Sequence, residues 1–194
     1  MYHQHYQLAQ VKTYLNMKYI YNFKDKTDII DSGILRRDSY GLFTSEIIEL
    51  NKQFNYSVYL FGSYIGYLIN GDKYNDIDFI LTSEKILELN ELIQFFKSFH
   101  DICKKYNVGY NLMYSTDKNE GDFDLDVYNG SIFNTGSSKV IRLYKRIDVN
   151  NKLGFEFKPL IGTELYEGLM VPVNQKMAKK MQMGVKFYAP IKIQ

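Results

Sequence analysis

Several residue types that define whole classes of protein are scarce or missing in this sequence. Its 194 residues include no tryptophan, one cysteine, three prolines and three histidines. One cysteine, Cys103, cannot form an internal disulfide, and no group of cysteines and histidines has the spacing of a zinc site. We therefore expect a cytosolic protein whose single thiol is buried and unreactive, because Cys103 lies in an apolar stretch.

An excess of one charge and long apolar runs are missing as well. The 24 basic and 22 acidic residues leave a net charge of +2, so any surface for nucleic acid must be local. No apolar stretch approaches the roughly 20 residues that span a bilayer, and the first residues do not resemble a signal peptide. The sequence predicts a cytoplasmic protein without a membrane partner. Its richness in Tyr, Asn, Ile and Lys indicates an AT-rich genome, bacterial or viral; a viral protein would act in the host cytoplasm.

Material for a hydrophobic core is plentiful, since 45% of the residues are hydrophobic and 16% are aromatic. All three prolines fall in the last quarter of the chain, so the composition changes near residue 150. We predict an N-terminal helix and irregular arm over residues 1–43, a core over 44–150 and a short extension over 151–194.

Hydrophobic periodicity predicts an alternation of helices and strands in the core region. The order indicates an α/β (α+β) fold, a small mixed sheet flanked by helices. The predicted elements are a helix capped by Thr44 or Ser45 and ending near Phe54, a strand over 56–61, a strand over 76–82, a long helix from Ser83 to about Tyr106, strands over 108–114 and 122–128, and a short helix over 138–146.

Two aspartates, Asp76 and Asp78, flank Ile77 at the start of the second predicted strand. Residues two apart project from the same face of a strand, so both carboxylates should point the same way. Carboxylates placed this closely repel one another and resist desolvation, which suits a site that binds a cation. Because oxygen ligands suit Mg²⁺ and Mn²⁺, the pattern predicts a site for one of these ions.

A glycine and a serine, Gly62 and Ser63, end the first predicted strand. Glycine permits close approach of the backbone, and Ser63 stands where a new helix can begin. The amides at a helix N-terminus favour an anion by charge and by hydrogen bonding. We expect a phosphate group at this turn, beside the cation of the acidic pair.

A displacement at phosphorus that uses two metal ions needs a further acid. The segment 121–128 alternates aspartates with apolar residues, so Asp124 and Asp126 share one face of the predicted strand. Either of them can supply the ligand on the side of the attacking group. Asp122 shares that face but lies at the start of the strand, and we favour it least.

Basic residues recur at spacings of three and four in the predicted helix 138–146, which gives them one common face. They could grip a triphosphate or the backbone of an acceptor, and a solvated charged face is an equal alternative. The residues are Lys139, Arg142, Lys145 and Arg146.

These motifs, taken in order over about residues 44–145, resemble the nucleotidyltransferase superfamily of DNA polymerase β. The run from Asp124 (Asp-Leu-Asp-Val-Tyr-Asn-Gly-Ser-Ile-Phe-Asn-Thr) is similar to the third-aspartate strand of non-canonical poly(A) and uridylyl transferases. The resemblance favours Asp124 over Asp126 and implies that Ser63 touches the triphosphate. It also implies the polymerase-β-type fold and a nucleotide site that includes Gly62.

The resemblance further implies that a nucleoside monophosphate passes from a nucleoside triphosphate to an acceptor hydroxyl. We expect an RNA acceptor, tRNA included; a protein or a small molecule, as in toxin-type enzymes, stays open. A member of the fold that binds nucleotide or RNA without turnover, and a metal-dependent nuclease, are the other hypotheses. The oligomeric state is not indicated by the sequence.

Overall fold

Strands and helices alternate along the chain much as the hydrophobic pattern requires. The computed structural model describes residues 21–22, 35–74, 76–83, 88–114, 125–128, 131–134, 139–142, 157–158, 170–173, 175–185 and 187–194. The helices are α1 (Arg37–Phe54), α2 (Ser63–Asn70), α3 (Leu89–Lys105) and α4 (Gln175–Gln182). The strands are β1 (Tyr21–Asn22), β2 (Ser57–Phe61), β3 (Ile77–Thr82), β4 (Tyr110–Tyr114), β5 (Leu125–Tyr128), β6 (Ser131–Asn134), β7 (Lys139–Arg142), β8 (Phe157–Lys158), β9 (Met170–Val173), β10 (Phe187–Tyr188) and β11 (Ile191–Lys192).

The largest sheet in the described part of the chain has the strand order β1-β6-β5-β4-β3-β2-β11. Strands β3 and β4 are parallel and the other neighbouring pairs are antiparallel, so the sheet is mixed. The parallel pair is connected through the long helix α3, as parallel strands require. The coarse prediction of a mixed sheet with helices, an α+β fold, is confirmed.

One face of the sheet carries the main hydrophobic core, together with α1 and α3. Phe79 of β3 is fully buried there, with its ring centroid 6.1 Å from that of Phe43 in α1 and 5.2 Å from that of Phe99 in α3. In α3 the buried residues recur every three or four positions, which gives the helix one apolar face. Glu46 of α1 also accepts a hydrogen bond from Lys105 at 2.6 Å, so the two helices are joined at their surface.

The opposite face of the sheet is partly apolar and partly polar. Strand residues alternate between the two faces, so this face holds Asp78 and Ile80 of β3 and Asn111 and Met113 of β4. Ile80 is fully buried and Met113 is 9% exposed, and neither belongs to the core on the helical side. Asp78 and Asn111 are half-buried at the end where β3 and β4 begin.

Helix α1 begins earlier than the sequence predicts. It starts at Arg37, so residues 37–42, expected to be irregular, are helical, and Thr44 and Ser45 are not its caps. Both hydroxyls instead donate to carbonyl oxygens one turn back, Thr44 to Tyr40 and Ser45 to Gly41. Serine and threonine inside a helix satisfy their hydroxyls in this way, so a residue type that suits a cap is no proof of one.

The predicted helix over 138–146 is wrong in the part that the structure describes, residues 139–142. Residues Lys139–Arg142 form strand β7, which pairs antiparallel with Met170–Val173. The β-branched pair Val140-Ile141 suits a strand, and a partner about 30 residues further on supplies the hydrogen bonds. The helical face on which Lys139 and Arg142 were predicted to lie together is therefore not formed by this segment.

Two smaller expectations concern the thiol and the C-terminal region. Cys103 is fully buried in α3, and burial raises the pKa of its thiol, as expected for an unreactive cysteine. The last strand, β11, pairs with β2, so residues 191–192 lie in the main sheet. None of the described helices is long and apolar enough to cross a membrane. Residues 1–20, in which the predicted N-terminal helix would begin, lie outside the described residues.

The core assignment predicts a large effect at Phe79. Replacing Phe79 with alanine removes a ring that α1 and α3 both contact, so unfolding should become easier by about 3–5 kcal/mol. The measurement is urea-induced unfolding, with Asn90→Ala as control. Asn90 is an exposed residue of α3 and its change should stay within about 0.5 kcal/mol. Equal midpoints for the two variants would contradict the assignment.

Candidate metal and phosphate site

The acidic pair lies where β3 begins. Asp78 is the second residue of the strand, and Asp76 precedes the strand in a bend, so only one of the two belongs to it. Between them, the amide of Ile77 donates to the carbonyl oxygen of Gly109 at 2.9 Å and fixes this end of β3 against the start of β4. The strand alternation from which we predicted two parallel carboxylates therefore applies to Asp78 but not to Asp76.

The glycine–serine turn lies directly against Asp78. Strand β2 pairs with β3 so that Phe61 is opposite Asp78, and Gly62 follows at once. A Cβ atom added to Gly62 would clash with the Asp78 carboxylate and lie 3.2 Å from its Cγ. Gly62 also has φ +81° and ψ −155°, a conformation that is essentially restricted to glycine. Close approach and backbone conformation both require this residue to be glycine.

Helix α2 begins at Ser63, immediately after that turn, as predicted. Ser63 is exposed, and Gly62, which borders the Asp78 carboxylate, is the N-cap of α2. Amides at a helix N-terminus carry a partial positive charge. The turn thus brings the N-terminus of α2 near a carboxylate, and these are the two groups that the predicted phosphate and cation would need.

Aromatic packing holds α2 in place. Tyr64 is fully buried, and its hydroxyl donates to the carbonyl oxygen of Leu35 at 3.1 Å. Its ring contacts those of Tyr67 and Tyr74, with centroid distances of 5.4 and 4.7 Å. Arg37 of α1 donates to the carbonyl oxygen of Tyr67 at 2.6 Å, near the C-terminal end of α2. Helix α2 is therefore held to α1 by Arg37 and to the segment just before α1 by Tyr64.

Burial raises the pKa of Asp76, and a hydrogen bond from its own backbone amide opposes that shift in part. Desolvation disfavours the charged form of a carboxyl group. A cation bound beside Asp76 would replace the lost hydration. The electrostatics of the bend therefore agree with a site for positive charge.

Of the two candidates for a third acid, the one that the structure describes, Asp126, does not stand next to Asp78. Asp126 is opposite Met113 in β4, and Met113 is in turn opposite Ile80 in β3. Asp126 is therefore two strands away from Asp78 and two residues further along, a Cα separation of roughly 11–12 Å in a flat sheet. Asp124 lies outside the described residues.

A polar residue that the sequence patterns did not single out stands beside Asp78. Asn111 of β4 is the direct partner of Asp78 in the parallel ladder. Its side-chain oxygen is buried and accepts no hydrogen bond. The sequence signal was a single amide in the middle of the otherwise apolar run from Val108 to Tyr114.

The donor set fits a hard divalent cation. Asp76 and Asp78 offer carboxylate oxygens, and the orphaned oxygen of Asn111 is a third donor of the same kind, which suits Mg²⁺ or Mn²⁺. Among the residues whose side chains are described, no three histidine, cysteine or acidic side chains come together as a metal site. Of the predicted basic ligands, Arg142 lies in β7 and Lys145 is outside the described residues.

Comparison with known proteins finds no matching family, no matching curated protein and no matching solved structure.

The contact between Gly62 and Asp78 predicts a coupling between the two positions. Gly62→Ala should destabilise the protein by about 2–4 kcal/mol, because it combines backbone strain with a steric clash. Gly184 has a similar φ of +83° and open space around it, so Gly184→Ala should cost only the strain, about 1–2 kcal/mol. Denaturant unfolding measures both values.

The clash itself is isolated by repeating Gly62→Ala in an Asp78→Ala background. Removing the carboxylate removes the steric part of the cost, so Gly62→Ala should be cheaper there by at least about 1 kcal/mol. If its cost is the same in both backgrounds, the glycine is needed for its backbone conformation alone.

The raised pKa of Asp76 predicts a pH-dependent effect on stability. A folded protein that holds a proton more tightly than the unfolded chain loses stability as pH rises through the folded pKa. Asp76→Asn should therefore raise the melting temperature at pH 7 without divalent cations. The gain should shrink on acidification and vanish below the ordinary aspartate pKa of about 3.9. A variant less stable than the wild type at pH 7 would contradict this reasoning.

Proposed function

We propose that this protein is a metal-dependent nucleotidyltransferase with a polymerase-β-type fold. It would move a nucleoside monophosphate from a nucleoside triphosphate to an acceptor hydroxyl. The observation that carries the proposal is the contact of Gly62 with the carboxylate of Asp78. Gly62 and Asp78 stand 16 positions apart in the sequence, in one motif suited to phosphate and one suited to a cation.

The order of elements around this contact supports the same conclusion. A strand leads into the Gly62 turn, α2 follows, and β3 returns antiparallel with Asp78 at its start. The triphosphate would lie at the N-terminus of α2, held by backbone amides and by the exposed hydroxyl of Ser63. Asp76 and Asp78 would face it from the start of β3.

In the proposed reaction the oxygen of the acceptor hydroxyl attacks the α-phosphorus, and the bond from that phosphorus to the bridging oxygen of the β-phosphate breaks. Pyrophosphate leaves, and the hydroxyl proton passes to a carboxylate and then to solvent. Bound Mg²⁺ would supply charge neutralisation at the phosphates and at the attacking oxygen. Asp76 and Asp78 hold the cations, and Asp124 or Asp126 serves the attacking side. Catalysis would be mainly positional and electrostatic.

RNA, tRNA included, is the acceptor we propose. The resemblance of the run from Asp124 to the third-aspartate strand of RNA-tailing enzymes supports it. The predicted basic helix that also favoured RNA lends no support in its described part, because residues 139–142 form strand β7. A protein or a small molecule is the alternative acceptor. Incubation with each labelled triphosphate, Mg²⁺ and total cell extract identifies the fraction that becomes labelled.

One observation favours a second candidate, a protein of this fold that binds nucleotide or RNA without turnover. Strand β4, the parallel neighbour of β3, carries Asn111 and not an acid at the position opposite Asp78. A site that lacks the third carboxylate would bind a triphosphate with its cation but leave the attacking hydroxyl without a base. Binding of triphosphate without release of pyrophosphate would identify this candidate.

The proposal predicts that Asp78→Asn lowers transfer at least ~10³-fold, because a carboxylate that holds the cations is lost. The fold should remain, since the amide has the same shape. Release of pyrophosphate with Mg²⁺, and separately with Mn²⁺, is the measurement. Asp101→Asn is the matched control, because Asp101 is an exposed aspartate of α3; its activity should equal that of the wild type.

Two outcomes would count against the proposal. Undiminished turnover in Asp78→Asn would remove that carboxylate from the chemistry. Wild-type protein that cleaves nucleic acid with Mg²⁺ and no triphosphate would instead be a nuclease, for which the Gly62 turn has no role.

A further inference from the structure

The amide side chain of Asn111 is out of keeping with its surroundings. Its strand neighbours Tyr110 and Leu112 are fully buried, and its own side-chain oxygen is buried without a hydrogen-bond partner. A buried acceptor left without a hydrogen bond costs stability, because the group has lost its hydration. Such groups are few in folded proteins, and they indicate a water, an ion or a catalytic role.

The position of Asn111 decides among these explanations. It pairs directly with Asp78 across the parallel ladder, so the two residues occupy the same face of the sheet with Cα atoms about 4.8 Å apart. Gly62 borders Asp78 from the other neighbouring strand, β2. The carboxylate thus lies between the phosphate turn on one side and the orphaned amide oxygen on the other.

The geometry points to Asn111 as a third oxygen ligand of the divalent cation held by Asp76 and Asp78, an inference that rests on the function proposed above. An amide oxygen is a hard donor, like a carboxylate oxygen, and suits the same cations. It adds no negative charge. An acid at this position would instead repel the carboxylate of Asp78, its direct partner in the ladder.

This assignment also changes the role that Asp126 can have in the site. Asp126 is one strand further from Asp78 than Asn111 is. The cation nearest the Gly62 turn would therefore be held by two carboxylates and one amide. Any role of Asp126 would concern the opposite side of the site, where the acceptor approaches.

The test is binding of Mn²⁺ alone, measured by calorimetry and by the loss of the free-ion signal in electron paramagnetic resonance. Asn111→Leu keeps the approximate volume and removes the oxygen, so Mn²⁺ affinity should fall at least ~10-fold. Without metal, the same variant should melt at an equal or higher temperature, because the orphaned acceptor is gone. Asn111→Asp should retain Mn²⁺ binding, because aspartate also has a side-chain oxygen at this position. Asn90→Leu, at an exposed position of α3, is the control and should bind like the wild type.

The outcomes separate this inference from the proposed function. One outcome is that the wild type and Asn111→Leu bind Mn²⁺ equally while Asp78→Asn does not bind it. The oxygen of Asn111 then contacts a water and not the cation, so the inference is overturned while the proposed function stands. If the wild type binds no Mn²⁺, both fall. If Asn111→Leu does not fold, Asn111→Ala removes the amide without added bulk; a matching loss of affinity supports the inference, and unchanged affinity overturns it.

Discussion

The antiparallel register of β2 and β3 is the constraint on which the candidate site depends. Because Phe61 is opposite Asp78, the chain that leaves β2 must pass the carboxylate at contact distance. Only a residue without a side chain fits there, and the required φ of +81° again selects glycine. A shift of one residue in this register would move Asp78 to the face of the main core and place Ile77 beside the turn. The apolar alternation of β3 prevents such a shift, since Ile77, Phe79 and Leu81 are all buried on the helical side.

Rigidity around the turn comes from residues that do not belong to the site. Two tyrosines of α2, Tyr64 and Tyr67, pack their rings against each other and against Tyr74, which follows the helix. Arg37 joins α2 to α1. A site for phosphate needs its amides held within fractions of an ångström, because positioned dipoles lose their value when they must reorient. The richness in tyrosine, which says nothing about chemistry by itself, thus has a structural use here.

Local patterns predicted the central elements well and the non-local ones poorly. Strands β2 and β3 and the start of α2 at Ser63 follow from apolar runs and a single glycine, signals carried by neighbouring residues. The segment at Lys139–Arg142 was misjudged because basic residues three and four apart imitate a helical face, whereas its strand partner is about 30 residues away. Asn111 was missed for the same physical reason. Its meaning depends on the parallel pairing of β3 with β4 across the whole of α3, and periodicity does not reveal that register.

Two groups at the start of β3 and β4 carry a cost in the protein alone, and a third is closely enclosed beside them. Asp76 is desolvated enough for burial to raise its pKa, the oxygen of Asn111 has no hydrogen donor, and Asp78 is enclosed between two strands and a turn. The first two cost stability, and a sheet with a well-packed apolar face can tolerate the sum. A positive charge would relieve both costs at once, whereas a hydrogen bond would relieve only one. A fold without use for a cation would be expected to have apolar residues here, like Ile80 and Met113 one step further along the same strands. The contrast between those two apolar positions and the polar pair at Asp78 and Asn111 is therefore the reason to place the proposed site at the end of the sheet where the chain turns into α2.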